Sequence, residues 1–196
     1  MLKGLEPGDT FPDYELPDET GAMHRLSDLQ GDNCLVLMLG RGEHCPRERQ
    51  QQRYMVPFSQ MCPVAFTEIV TILPGELHDA FKMKIAAGAS WTYLVDTDLA
   101  VQEALDIREY TDEHHDANVP VTLVVAPGLV VDKAYVGYWF WGRPSPYQLW
   151  EDLQDLLRRI KPDYDPTTAA AKAAWKKSSG RVPAHRDGCS FSLSRS

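Results

Sequence analysis

Apolar residues along this chain change their spacing from segment to segment, and each change predicts an element. Cys34-Leu-Val-Leu-Met-Leu is an unbroken apolar run between Gly31-Asp-Asn and Gly40-Arg-Gly, as a strand covered on both faces requires. Upstream, residues 5–28 alternate turn formers with short extended pieces, which predicts a hairpin running into a short helix at Leu26-Ser-Asp-Leu. Downstream, Pro46 to about Gln60 is rich in Arg, Glu and Gln, with proline at the first helical position, where a missing amide proton costs nothing. The pattern then predicts a strand over Val64–Leu73, a helix from Pro74 to about Ala87, a strand over Trp91–Val95 and a helix from Leu99 to about Leu105.

A charged stretch, Ile107 to Asn118, carries His114 and His115 and leads into a strand at Val119-Pro-Val-Thr-Leu-Val-Val-Ala. Pro127-Gly turns the chain into a second, antiparallel strand over Val130–Tyr138. Ser145-Pro then caps a last helix whose Leu149, Leu153, Leu156, Leu157 and Ile160 recur at helical spacing. The order is a hairpin, a β-α-β unit, a helix, a β-hairpin and a closing helix. It predicts an α/β thioredoxin-like fold with a central mixed sheet flanked by helices and an N-terminal hairpin extension.

Composition narrows the function classes. The 196 residues suit one domain, read here as 1–162, with a tail at 163–196. The tail holds six Lys and Arg against three Asp, while the whole chain has a formal charge of -8. Its Ala169-Ala-Ala-Lys-Ala-Ala-Trp-Lys-Lys predicts a short helix, and beyond about Ser178 disorder is expected. The acidic body argues against nucleic acid as a partner. No apolar run approaches the roughly 18 residues that span a bilayer, and the N-terminus lacks an apolar signal core, so a cytoplasmic protein without membrane contact is expected.

Four cysteines, Cys34, Cys45, Cys62 and Cys189, show no Cys-x-x-Cys spacing and no disulfide framework. Cys45 stands apart because it precedes the Pro46 helix. There the positive end of the helix dipole and free backbone amides favour a thiolate, and Arg41, Arg47 and Arg49 add positive charge, with Glu43 and Glu48 opposing it. Cys34 opens a buried strand and reads as a small hydrophobe. Cys62 lies across a whole helix from Cys45, so a bond between them would require that helix to unravel. Cys189, on a flexible tail, can reach Cys45 in its own or a second chain, and is either a resolving thiol or a thiol of no consequence.

The segment Leu39-Gly-Arg-Gly-Glu-His-Cys-Pro-Arg-Glu-Arg resembles the active-site segment of redoxins, a strand followed by Arg-Gly-x-x-Cys-Pro-x-x-Arg at a helix start. Leu5-Glu-Pro-Gly-Asp-Thr-Phe-Pro-Asp resembles the opening of the peroxiredoxin (alkyl hydroperoxide reductase/thiol-specific antioxidant) family. Asp96-Thr-Asp and Val119-Pro-Val-Thr-Leu resemble two further family segments, and the matches extend over roughly residues 5–160.

The resemblance implies Cys45 as the catalytic thiol, with Gly42, Pro46, Arg49 and Pro120 around the substrate. It also implies a cis peptide bond at Pro120, whose backbone would then lie beside Cys45 and bind an extended substrate. Arg143, in a Gly-Arg preceding the last helix, either supplies a guanidinium to the site or fixes its turn by pairing with a carboxylate. Trp139, Phe140 and Trp141 beside it read as core or dimer contacts rather than a substrate wall.

Departures from the family pattern matter as much. Glu48 stands where a dithiol redoxin has its second cysteine, Gly42 where a peroxide-binding Thr or Ser is usual, and Pro120 near the place of a thiolate-stabilising Arg.

The implied activity is that of a one-cysteine oxidoreductase acting on a peroxide, or exchanging with a disulfide, and regenerated by an external thiol or by Cys189. No cofactor is implied, and a homodimer is expected. Two other readings stay open. One is soft-metal binding by Cys45 with His44 and His114 or His115. The other is a catalytically reduced scaffold that binds a partner, with the basic tail as docking element.

Overall fold

The computed structural model describes residues 4–138, 141–161 and 165–178. The chain falls into two compact units, Met1–Leu156 and Leu157–Ser196. The first contains the elements that build the site. Glu15–Pro17 (β1) and Met23–Arg25 (β2) pair antiparallel, and Leu26–Gln30 (α1) follows at once, as the turn-rich N-terminus predicts.

Cys34–Leu39 (β3) has all six residues buried, consistent with its unbroken apolar run. Pro46–Ser59 (α2), Thr67–Pro74 (β4), Leu77–Ala87 (α3), Thr92–Asp96 (β5) and Ala100–Leu105 (α4) come next. Val121–Ala126 (β6) and Val130–Val136 (β7) form the second hairpin, and Pro146–Ile160 (α5) closes the order. In the second unit, Ala169–Ser178 (α6) is the short helix that the Ala/Lys repeat predicts. Among the described residues, no helix is long and apolar enough to cross a membrane. The expected disorder beyond Ser178, the residues Trp139 and Phe140, and Cys189 all lie outside the described residues.

The sheet runs β5-β4-β3-β6-β7, with β3 at its centre, parallel to β4 and antiparallel to β6. Leu35, Leu37 and Leu39 point to one face, into a core with Val70, Ile72, Leu94, Val101 and Leu123. Val36 and Met38 alternate to the other face and are equally buried. There the Gln51 and Gln52 amides of α2 reach the Met38 sulfur, and Phe58 of α2 meets Trp150 of α5 edge to face. At the start of α5, Ser145 Oγ accepts the Gln148 N–H and Gln148 Oε1 accepts the Ser145 N–H, a reciprocal cap. Leu149, Leu153, Leu156 and Leu157 are buried as their spacing predicts, but Ile160 is exposed.

Two boundaries differ from the sequence pattern. The segment from Val64 does not extend β4; Cys62–Ala65 is a 3-10 turn, and the strand starts at Thr67. Pro63 carries no amide proton for a ladder, and Phe66 takes φ 48, a left-handed conformation that no strand accommodates. Likewise Pro74 ends β4 opposite Asp96 rather than opening α3, because Gly75 at φ 105 turns the chain first.

Candidate active site

Cys45 is the N-cap residue of α2, at the carboxyl end of the central strand, with Pro46 at the first helical position. It is 4% exposed yet lines a cavity of about 410 Å³ together with Arg41, Pro46, Arg47, Glu109, Thr111, Asp112, Glu113 and His114. This opening gives Cys45 a route to solvent. Thr111 is the sole hydroxyl side chain of that lining among the described residues, and its Oγ donates to Glu109 Oε1 at 2.9 Å.

The cation that meets Cys45 is Arg41. Burial works to lower its pKa, but hydrogen bonds to Glu109 and to Cys45 outweigh that and raise it. Its Nε donates to Glu109 Oε2 at 2.6 Å and its Nη2 to Asp112 Oδ2 at 3.0 Å. Arg49 is turned away, with Nε on the Glu43 carbonyl and Nη2 on the Glu43 carboxylate, each at 2.8 Å. Arg41 thus lines the Cys45 cavity with its guanidinium held by two carboxylates.

A second arginine acts one turn along the helix. Glu48, 1% exposed, accepts from the Arg41 backbone N–H at 3.1 Å and from Arg143 Nη2 at 3.2 Å on Oε2, and from Gln52 on Oε1 at 2.8 Å. Gln52 Oε1 in turn accepts from Tyr93 Oη at 2.8 Å and lies 3.4 Å from Thr71 Oγ1, which accepts from Trp91 Nε1 at 2.9 Å. This buried chain of bonds ties the first turn of α2, which Cys45 caps, to β4 and β5. Of the two readings of Arg143, the structure shows the carboxylate pair, with Glu48; Arg143 lines a neighbouring cavity and not that of Cys45. Sequence reasoning treated Glu48 as opposing charge and missed its buried role. A signal was present in Gly40: a Cβ there would lie 2.4 Å from the Leu73 side chain and 3.0 Å from Glu48 Oε1, so only glycine lets the carboxylate approach the strand end.

Gly42 takes φ 132, and a Cβ there would come within 2.9 Å of the His44 ring. The place of the usual hydroxyl is closed by backbone conformation and by that ring. Pro120 brings a correction, because the Val119–Pro120 bond is trans. The preceding residues are held extended: Asn118 N–H donates to the Arg41 carbonyl at 3.3 Å and Val119 N–H to the Ile107 carbonyl at 2.6 Å, a path that an ordinary trans bond continues. Pro120 does not line the Cys45 cavity. It borders a neighbouring one that shares Glu109 and Thr111, and its carbonyl already accepts the Gly137 N–H at 2.6 Å.

Among the described residues, none of Cys34, Cys45 and Cys62 forms a disulfide. Cys62 is buried, donates to the Phe58 carbonyl at 3.4 Å, and is pushed up to about 12 by burial, with Glu68 adding to the effect. Cys34 is buried at the start of the central strand, as expected.

The cavity's far wall is the loop between α4 and β6. Asp112 Oδ1 accepts the backbone N–H groups of His114 and His115, and the His115 Nδ1 lies 3.0 Å from it. Burial works to raise the Asp112 carboxyl, but bonds from the His115 side chain and the His114 backbone hold it at about 2. The His44 ring stacks on His115 with centroids 3.7 Å apart. Burial, then the charges of His115 and Arg41, lower the His44 pKa against the pull of Asp112.

Residues 7–134 match the model of the AhpC/TSA family. No curated protein matches the sequence. Among solved structures, the chain resembles peroxidoxin BcpB from Mycobacterium tuberculosis (TM-score 0.66, 19% identity, covering 80% of this chain and 99% of that one). A Cys-to-Ser mutant of peroxiredoxin 6 from Arenicola marina aligns with TM-score 0.70 at 13% identity, covering 81% and 77%. A putative thiol:disulfide interchange protein DsbE from Chlorobium tepidum aligns with TM-score 0.57 at 21% identity, covering 80% and 96%.

Proposed function

The chain belongs to the AhpC/TSA family of thiol-dependent oxidoreductases, and from that premise we propose that Cys45 is its redox-active thiol and that it reduces a peroxide by a one-cysteine cycle. The observation that carries this reading is the meeting of Cys45, the α2 N-terminus and the Arg41 guanidinium at one cavity. The helix N-terminus and the guanidinium bring backbone donors and positive charge to the cavity that the sulfur lines.

The Cys45 thiolate attacks one peroxide oxygen, the O–O bond breaks, and the leaving alkoxide or hydroxide takes up a proton. Sulfur, oxidised by two electrons, becomes a sulfenic acid. Arg41 is placed to stabilise charge growing on the leaving oxygen. With Glu48 in place of a local partner thiol and Cys62 enclosed, an external thiol condenses with the sulfenic acid and releases water. A second thiol then reduces the mixed disulfide and restores Cys45. Disulfide exchange as the primary activity loses support, since the Pro120 backbone expected to bind an extended substrate is engaged by Gly137.

The test is to mix the reduced full-length chain with hydrogen peroxide and, separately, with glutathione disulfide, trapping sulfenic acid or mixed disulfide for mass spectrometry. Sulfenic acid on Cys45, formed faster than on free cysteine at matched pH, is the expected result. Oxidation no faster than that of free cysteine, or reaction with the disulfide alone, contradicts it.

A further inference from the structure

We propose that His44, Asp112 and His115 form a binding site for a divalent transition-metal ion of borderline softness, with Zn²⁺ as its representative. One ligand atom from each residue lies within 4.8 Å of the other two. Asp112 faces both rings, with Oδ2 3.4 Å from His44 Nε2 and 3.2 Å from His115 Nδ1. Tetrahedral zinc with bonds of about 2.0–2.1 Å sets its donors roughly 3.3 Å apart, so the carboxylate already stands at ligand spacing from both imidazoles.

An independent observation points the same way. His44 Nε2 is shut off from solvent and makes no hydrogen bond, even to the nearby carboxylate. Buried polar atoms of this kind nearly always have a partner, and a metal ion on the loop side supplies one. The rings are parallel to within 3°, so coordination in the ring planes requires one ring to tilt. His115 is the exposed member, carried on the loop between α4 and β6, and is the one that moves.

The donor set also corrects the class of metal. Soft-metal binding was expected to use Cys45 with His44 and His114 or His115; the cluster keeps His44 and His115 but contains neither Cys45 nor His114. Two imidazoles and a carboxylate suit zinc, nickel or cupric copper rather than a soft cuprous ion, and three protein ligands leave a fourth position for water. Asp112 Oδ2 also accepts from Arg41 Nη2 at 3.0 Å. An ion on that oxygen therefore competes with Arg41, the residue that meets Cys45, and couples metal occupancy to the thiol cavity.

Metal affinity is read without any redox assay, so the site stands or falls separately from peroxide reduction. Zn²⁺ is titrated calorimetrically into the reduced full-length chain, and Co²⁺ binding is followed by its visible spectrum. One site is expected, weakened at least about 10-fold by His115→Ala, a change of an exposed loop residue. Cys45→Ser is expected to alter affinity by less than about 3-fold, and the cobalt spectrum to lack a thiolate charge-transfer band. His78→Ala, on exposed α3, serves as the control and is expected to change nothing. Undetectable binding by the native chain, unchanged affinity in His115→Ala, or loss of binding in Cys45→Ser each overturns the proposal.

Discussion

Two Cys-Pro steps occur in this chain, Cys45-Pro46 and Cys62-Pro63, and both begin a helical turn. Their exposures, 4% and 3%, are nearly equal. What surrounds the sulfur differs. Cys45 opens on a cavity that the Arg41 guanidinium also lines, whereas Cys62 bonds the Phe58 carbonyl near the end of α2 and feels the charge of Glu68. Equal burial and the same local motif therefore leave the two thiols in different surroundings.

The largest expected effect separates the two thiols directly. Cys45→Ser should lower peroxide turnover, followed by loss of hydrogen peroxide in the presence of a small thiol, by about 1000-fold or more. Cys62→Ser should leave turnover within about 2-fold, because its sulfur takes no part.

Next comes the support of the Cys45 step. Glu48→Ala removes the buried carboxylate shared by the Arg41 N–H, Arg143 and Gln52 and should cost about 3–5 kcal/mol in urea unfolding, while Glu43→Ala, at a more exposed pair, should cost about 1 kcal/mol or less.

A smaller change falls on reactivity. Arg41→Met should slow alkylation of Cys45 at neutral pH by about 10-fold, whereas Arg49→Ala, whose guanidinium is occupied by Glu43, should change it by less than about 2-fold. Equal effects of the two would remove the distinction drawn between these arginines.

The smallest effect concerns Cys62 and alkaline pH. Its folded value, about 12, lies above the ordinary 9.0, so the folded protein keeps a proton that the unfolded chain loses. This contribution is complete below pH 9.0 and is lost as pH rises toward 12, with a slope of at most about 1.4 kcal/mol per pH unit. The alkaline slope of unfolding free energy should be shallower in Cys62→Ala.

The difference between the two Cys-Pro steps was legible in the sequence only in part. The β3 run, the Pro46 start and the Ser145 cap each rest on local rules of period and capping, and each stands where those rules place it. The site was legible where it is local, at Cys45. Glu48, Gln51 and Gln52 belong to a stretch that the sequence marks only as polar, yet all three are buried, since their respective partners Arg143, Thr122 and Tyr93 come from distant strands and turns. The His44–Asp112–His115 cluster also needs the fold to bring a helix start to a later loop. The trans bond at Pro120 departs from what the family resemblance implies and follows the ordinary preference of an X–Pro bond.

The central claim is that the environment of Cys45 makes it the reactive thiol, and site-resolved alkylation tests it most directly. The reduced chain is pulsed with iodoacetamide at pH 7, and labelling at Cys45 and Cys62 is quantified by peptide mass spectrometry. Labelling of Cys45 at least about 100-fold faster than Cys62, and slowed by saturating hydrogen peroxide, is predicted. Labelling of Cys45 no faster than Cys62 would contradict the account.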